Sequence, residues 1–185
     1  MDTSIVPLVE SARRGDTSAF ATIYEGYFAP IYRFVYTRVR HKETAEDLAQ
    51  ETFLRAFSKI STYEERGTPL VAWLYTIARN LCTDYFKKKK EVIPSDPDIF
   101  WQDKVSSTHN PLQVADRAER ASVLLDCIGE LPEAQSEFVL LRFIEELEYA
   151  EIAVILGKRE EALRALSHRA SKNLKKLLQA RGIDI

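Results

Sequence analysis

Apolar residues recur at spacings of three and four along most of the chain, and only six glycines and seven prolines interrupt them. That pattern predicts helices throughout. It gives a first helix over residues 5–14 closed by Gly15, followed by N-cap candidates from Asp16 to Ser18 for a second helix ending at Phe28. Pro30 suits the first turn of a third helix reaching about Arg40. Thr44 is placed to cap a fourth, on which Leu48, Phe53 and Phe57 fall broadly on one face and read as core. Residues 60–67 read as a loop. Thr68-Pro69, an N-cap residue followed by proline, opens a fifth helix that runs to about Lys90.

The period is lost over residues 91–111, a stretch with three prolines and few regularly spaced apolar positions, which reads as a flexible acidic linker. Helical spacing returns over 112–128. Leu131-Pro132 opens a further helix to Ile144, a short helix covers 149–156, Gly157 marks a turn, and a long helix runs from about Arg159 to Ala180. The expected architecture is all-α, with two small helical domains over 1–90 and 112–185 joined by the 91–111 linker.

Charge changes the picture. The formal net charge is −2, which by itself argues against a uniformly basic nucleic-acid binder. By segment it is far from uniform. Residues 1–90 hold 14 Lys+Arg against 11 Asp+Glu, 91–130 hold 3 against 8, 131–157 hold 1 against 6, and 158–181 hold 8 against 2. Two basic blocks therefore flank an acidic middle, and such blocks suit phosphate. Lys87, Lys88, Lys89 and Lys90 form one run, which as a helix end also suits the helix dipole.

Composition excludes several classes. No run approaches the roughly 20 apolar residues that a membrane span needs. The N-terminus shows no basic stretch followed by an apolar one, so no signal peptide and a cytoplasmic location are expected. Cys82 and Cys127 sit among apolar neighbours and read as small packing groups. His41, His109 and His168 are scattered, and no zinc-ligand spacing or phosphate-binding glycine loop is present, so neither a metal, a cofactor nor an enzyme activity is expected.

Three constellations carry candidate chemistry. A short helix with Tyr149-Ala150-Glu151-Ile152-Ala153, a turn at Gly157 and a basic second helix describe a helix-turn-helix, in which small alanines admit close helix approach. An ordinary helical hairpin would share the apolar pattern, but not the basic second helix. On the fourth helix, Asp47, Gln50, Glu51 and Leu54 lie three and four apart on one face. Taken alone, such a stripe is most often a solvated face; beside apolar residues it can dock a protein. On the fifth helix, Tyr75, Arg79 and Asn80 lead to Asp84-Tyr85-Phe86 and the lysines, an interleaving of aromatic and basic groups that suits unstacked bases and phosphates. Trp73 reads as core, whereas Tyr75, Arg79 and Asn80 are less easily explained that way.

In this order and spacing the motifs resemble the extracytoplasmic-function sigma factors, the small two-domain members of the sigma-70 family of bacterial RNA polymerase. The resemblance starts at Gly15-Asp16 and Ala19-Phe20 and passes through Tyr24, Tyr32 and Phe34. It is strongest at Ala45-Glu46-Asp47-Leu48-Ala49-Gln50-Glu51-Thr52-Phe53 and Ala72-Trp73-Leu74-Tyr75-Thr76-Ile77-Ala78-Arg79-Asn80. It resumes at Leu131-Pro132, Leu140-Leu141-Arg142-Phe143, Tyr149-Ala150-Glu151-Ile152-Ala153 and His168-Arg169-Ala170.

The resemblance implies roles. Asp47, Leu48, Gln50, Glu51 and Leu54 would bind core RNA polymerase at the beta-prime clamp, with the beta flap as a further contact of the family. Tyr63, Glu64, Arg66, Tyr75, Arg79, Asn80, Thr83, Lys87, Lys88, Lys89 and Lys90 would recognise and melt the minus-ten element, with a pocket at 64–68 for a flipped base; capture in a pocket offsets the few kcal/mol of unstacking. Lys158, Arg159, Glu160, Arg164, His168, Arg169 and Lys172 would read the minus-thirty-five element. There the sequence departs from the family: Lys158-Arg159 stands where a hydrophobic residue and Ser or Thr are usual, and losing that cap costs about 0.5–2 kcal/mol. The family also implies an anti-sigma factor as partner. The alternative is a helix-turn-helix regulator that binds duplex DNA without polymerase, which would have no use for the Asp47 stripe or the Tyr75 constellation.

Overall fold

The computed structural model describes residues 5–64, 68–92 and 123–183. Every regular element among them is helical: α1 (Ile5–Arg13), α2 (Thr17–Val39), α3 (Lys42–Lys59), a 3-10 turn (Ile60–Thr62), α4 (Leu70–Val92), α5 (123–129), α6 (Glu133–Val139), α7 (Tyr149–Leu156) and α8 (Glu160–Ala180). Helices α1–α4 form one bundle and α5–α8 another; the first has four helices where the spacing predicts five. The segment read as linker lies outside the described residues except where α4 runs two residues into it, and so does the start of the helix expected over 112–128.

Local chemistry explains most boundaries. Asp16 caps α2, its carboxylate accepting from the Ser18 and Ala19 amides at 2.9 and 3.2 Å. The fourth predicted helix starts earlier than Thr44. His41 is its N-cap, with Nδ1 accepting from the Thr44 amide at 3.3 Å, so Thr44 lies inside the first turn. The break expected before Pro30 is also absent: α2 is one helix of 23 residues with Pro30 inside it. Proline in a helix interior costs about 3 kcal/mol. Beyond it, however, Ile31, Phe34 and Val35 are wholly buried, each stabilising by about 1.5–3 kcal/mol. A ring contact also bridges the proline, Phe28 stacking on Tyr32, and Tyr32 stacks in turn on Tyr36 one turn further on. Burial on one continuous face outweighs the local penalty.

In the second bundle, Leu131-Pro132 precedes α6, which runs on as a π-turn over Leu140–Ile144; the Glu145 amide closes it onto the Leu140 carbonyl at 3.0 Å. The Glu148 amide donates to the Glu151 carboxylate at the start of α7. Gly157 takes φ 61°, a left-handed conformation that glycine adopts without a Cβ penalty, and the chain turns there into α8.

The buried side chains form one apolar cluster reaching from Val9 through Tyr75 and Leu141 to Ala170, so both bundles contribute to a common core. Helix α4 packs on α7, and α2 touches α6. Two expected assignments are reversed. Phe57, read as core, is 49% exposed and meets Phe20 ring edge to ring face, because Phe53 and Ala49 take the inner face of α3. Tyr75, which seemed hard to place in a core, is 1% exposed and sits edge-on to Phe34.

Candidate functional site

Three faces bear the residues singled out in the sequence. The first lies on α3. Asp47 and Gln50 are exposed, Glu51 is half-buried and accepts from Arg55 Nε at 2.7 Å, and Leu54 is 65% exposed. Leu48 is half-buried at the edge of the core. Phe20, Tyr24, Gln50, Phe53, Leu54 and Phe57 line a shallow apolar groove along this face. Leu54 and Phe57 thus present apolar surface directly beside the polar stripe, and an exposed apolar patch rimmed by polar groups suits a protein partner. Phe57, expected in the core, belongs to this face; its placement at i+3 from Leu54 is the sequence signal that could have marked it.

The second face lies on α4 and the turn before it. The Tyr63 hydroxyl donates to the Thr68 carbonyl at 2.7 Å, and its ring packs on Trp73, which ties down the start of α4. Glu64 is exposed, while Arg66 lies outside the described residues. Asn80, Lys87, Lys88 and Lys89 are exposed and Thr83 is half-buried, its hydroxyl returned to the Arg79 carbonyl; of Lys90 only the helical backbone is described. Tyr75 is buried, and burial together with the nearby Glu145 carboxylate holds its phenol above the usual range. Arg79 is ion-paired to Glu137 of the second bundle at 3.1 Å.

Glu137 is the least expected participant. It is 2% exposed, and its carboxylate meets both Arg38 and Arg79. Burial lifts its pKa above the ordinary glutamate value, and the two guanidinium groups pull it back only in part. Around it stand further pairs between the bundles: Arg38 with Glu133, Arg33 bidentate on Glu145 at 2.9 and 3.0 Å, and Arg40 on Asp126 at 2.7 Å and on the Leu125 carbonyl. A Cβ at position 129 would meet the guanidinium end of Arg40, so Gly129 leaves that flexible group room to reach Asp126. The sequence offers one hint of this cluster, a glutamate set directly against the apolar run from Phe138 to Leu141.

The third face lies on α8. Leu163, Leu166 and Ala170 are buried, while Lys158, Arg159, Glu160, Arg164, His168, Arg169 and Lys172 are exposed together on the opposite side and around the turn. Arg159 is the N-cap residue and makes no side-chain capping bond, so the amides of the first turn are left to solvent or to a ligand. Among the described residues no helix is long and apolar enough to cross a membrane.

These faces fall within two recognised sequence regions. Residues 23–92 match Sigma-70 region 2 and residues 122–174 match Sigma-70 region 4. The ECF RNA polymerase sigma factor BldN of Streptomyces coelicolor is 40% identical over 94% of this chain and 66% of its own length. The ECF RNA polymerase sigma factor SigM of Bacillus subtilis is 34% identical over 88% of this chain and 96% of its own. Among solved structures, CnrH in complex with the cytosolic domain of CnrY shares the fold with a TM-score of 0.70 at 22% identity, covering 94% of this chain and 96% of that one. RpoE in complex with the anti-sigma factor NepR from Bartonella quintana does so at 0.69 and 24% identity, over 86% and 96%. Two sigma regions in order, each on its own helical bundle, and a relative matched over nearly its whole length place this chain in the extracytoplasmic-function sigma factors of the sigma-70 family.

Proposed function

We propose that this sigma factor docks on core RNA polymerase through the exposed face of α3 and directs promoter-specific initiation, melting the minus-ten element with the first bundle and reading the minus-thirty-five element with the second. In this reading the chain divides into domains over 1–90 and 112–185 with an acidic linker at 91–111, acts in the cytoplasm and carries out no catalysis of its own. Asp47, Gln50 and Glu51 supply polar contacts to the beta-prime clamp, with Leu54 buried in the contact, and the second bundle meets the beta flap. Glu64, Asn80, Thr83 and the lysines at 87–90 take the separated strand, joined by Arg79, while Tyr75, buried against Phe34, supports α4 from the core side. Arg164, His168, Arg169 and Lys172 face duplex DNA. An anti-sigma factor is the proposed regulator, as NepR is for RpoE in the complex named above.

The single observation that carries the reading is Leu54, 65% exposed next to Asp47 and Gln50 on α3. A regulator that bound an operator alone would gain nothing from such a face. The test is run-off transcription with core polymerase and a promoter library, alongside pull-down of the tagged protein. Promoter-dependent transcripts and co-purified polymerase subunits are expected. Tight duplex binding without polymerase, and no transcript with it, would establish the freestanding regulator instead.

A further inference from the structure

Tyr63 opens the stretch that the family resemblance assigns to the minus-ten element, yet it is turned inward and only 6% exposed. Its ring lies against that of Trp73, centroids 4.8 Å apart, and its hydroxyl donates to the Thr68 carbonyl at 2.7 Å. Its amide donates to the carbonyl of buried Ile60 at 3.1 Å, closing the 3-10 turn. The Thr68 carbonyl needs such a donor. The first bond of α4 runs from the Trp73 amide to the Pro69 carbonyl at 3.0 Å, so Thr68 lies one residue outside the helical ladder. One side chain thus joins the 3-10 turn, the residue before Pro69 and the first turn of α4. Glu64, next in the chain, is exposed.

We infer that Tyr63 is a positioning residue for base capture and not a DNA contact: its hydroxyl fixes Glu64 and the start of α4 in one arrangement before the separated strand arrives. The inference rests on the minus-ten reading above and reassigns one residue within it. A base stacking on Tyr63 would have to displace Trp73, and a base or phosphate bonding to the hydroxyl would strip the Thr68 carbonyl of its donor. Neither is needed if Tyr63 acts through its neighbours. Groups that are ordered on folding do not have to be ordered on binding, and that ordering otherwise subtracts from affinity. Geometry held by packing and a hydrogen bond is also kept more closely than geometry left to a loop. Tyrosine suits the task, because its apolar body fills the space beside Trp73 while its polar tip reaches a backbone acceptor. Phenylalanine at this position keeps the packing and loses the tie, so the two contributions can be separated.

The test uses reconstituted holoenzyme and the fluorescently labelled non-template strand of a promoter recovered from the library. A matched series of strands carries one abasic site at each minus-ten position in turn. In wild type, the abasic site at the captured position is expected to weaken binding about fivefold or more, the lower end of what a held base contributes. Tyr63→Phe is expected to weaken binding of the intact strand about three- to tenfold, as the loss of one hydrogen bond predicts, with core polymerase binding at the wild-type value. The deciding readout is the coupling between the two changes. If the hydroxyl positions the capture site, the abasic penalty at the captured position shrinks in Tyr63→Phe, while penalties at the other positions stay as in wild type. A Tyr63→Phe holoenzyme that binds the intact strand as wild type does overturns the inference. So does a loss that is the same for every strand of the series, and so does a variant that no longer assembles with core polymerase, either of which makes Tyr63 purely structural. Failure of the minus-ten reading appears separately, as the absence of an abasic penalty at every position in wild type, and it removes the inference as well.

Discussion

Arg79 Nε donates to both carboxylate oxygens of Glu137, at 3.1 and 3.2 Å, across 58 positions of sequence. Arg38, only 6% exposed at its side chain, meets the same carboxylate from α2. One glutamate thus compensates two cations from different helices, and the second bundle is held to the first through a charge that burial disfavours.

The first prediction follows from that asymmetry. Removing one partner of a buried ion pair costs more than the pair is worth, because the other charge stays buried. Glu137→Ala leaves Arg38 with Glu133 alone, while Arg79 can turn to water. The expected loss is about 3 kcal/mol, the lower end of what breaking a buried pair costs. Urea unfolding of the full chain measures it. A loss below about 1 kcal/mol would place the pair among ordinary surface bridges.

Leu54 leads to the opposite expectation. Its side chain faces solvent, so Leu54→Asp is expected to change stability by no more than about 0.5 kcal/mol. The same change places a charge in the apolar part of the α3 face and is expected to weaken core polymerase binding at least about tenfold, or about 1.4 kcal/mol. Equilibrium unfolding and a competition assay against wild type read the two quantities. A large stability loss with unchanged binding would make the residue structural.

The lysines of α4 predict a salt signature. Lys87, Lys88 and Lys89 project from the end of the helix and are exposed. Each phosphate neutralised on single-stranded DNA adds about 0.7 to the slope of log K against log salt. Replacing all three by alanine is expected to lower that slope by about 2, nearly independently of sequence. The measurement is a titration of the full chain with single-stranded DNA over a salt series. An unchanged slope would assign these side chains to solvent.

What the sequence makes legible is what is encoded locally. The span of α7, the turn at Gly157 and the start of α6 after Pro132 follow from caps, spacing and a positive φ, all within a few residues. Pro30 misleads because its penalty is local, whereas the burial of Ile31, Phe34 and Val35 that overcomes it depends on the other helices packed around α2. Phe57 and Tyr75 exchange expected roles for a related reason: helical spacing groups residues on a face but does not say which face meets a neighbour. The α3 and α8 faces were readable because their side chains need no distant partner. The Arg33–Glu145 and Arg79–Glu137 pairs were not, since segment charges reveal that opposite signs exist and not where folding brings them together.

The turn into α8 supplies the last prediction. Arg159 stands at the N-cap with extended backbone, the conformation a capping residue needs, but its side chain bonds none of the first-turn amides. A serine there can accept from one of them. Arg159→Ser is therefore expected to stabilise the protein by about 1 kcal/mol, the typical worth of a cap, and to raise the midpoint of thermal unfolding. The same substitution removes a cation from the helix end proposed to face duplex DNA, where in that reading a phosphate would meet both the guanidinium and the uncapped amides. Binding to promoter duplex by the reconstituted holoenzyme is expected to weaken as stability rises. That opposition separates two explanations of the missing cap. If Arg159→Ser stabilises α8 and weakens promoter binding, the arginine serves DNA contact at the expense of the helix. If it stabilises α8 and promoter binding is unchanged, Arg159 has no part in reading the minus-thirty-five element, and contact must rest on Arg164, His168, Arg169 and Lys172 further along the exposed face of α8.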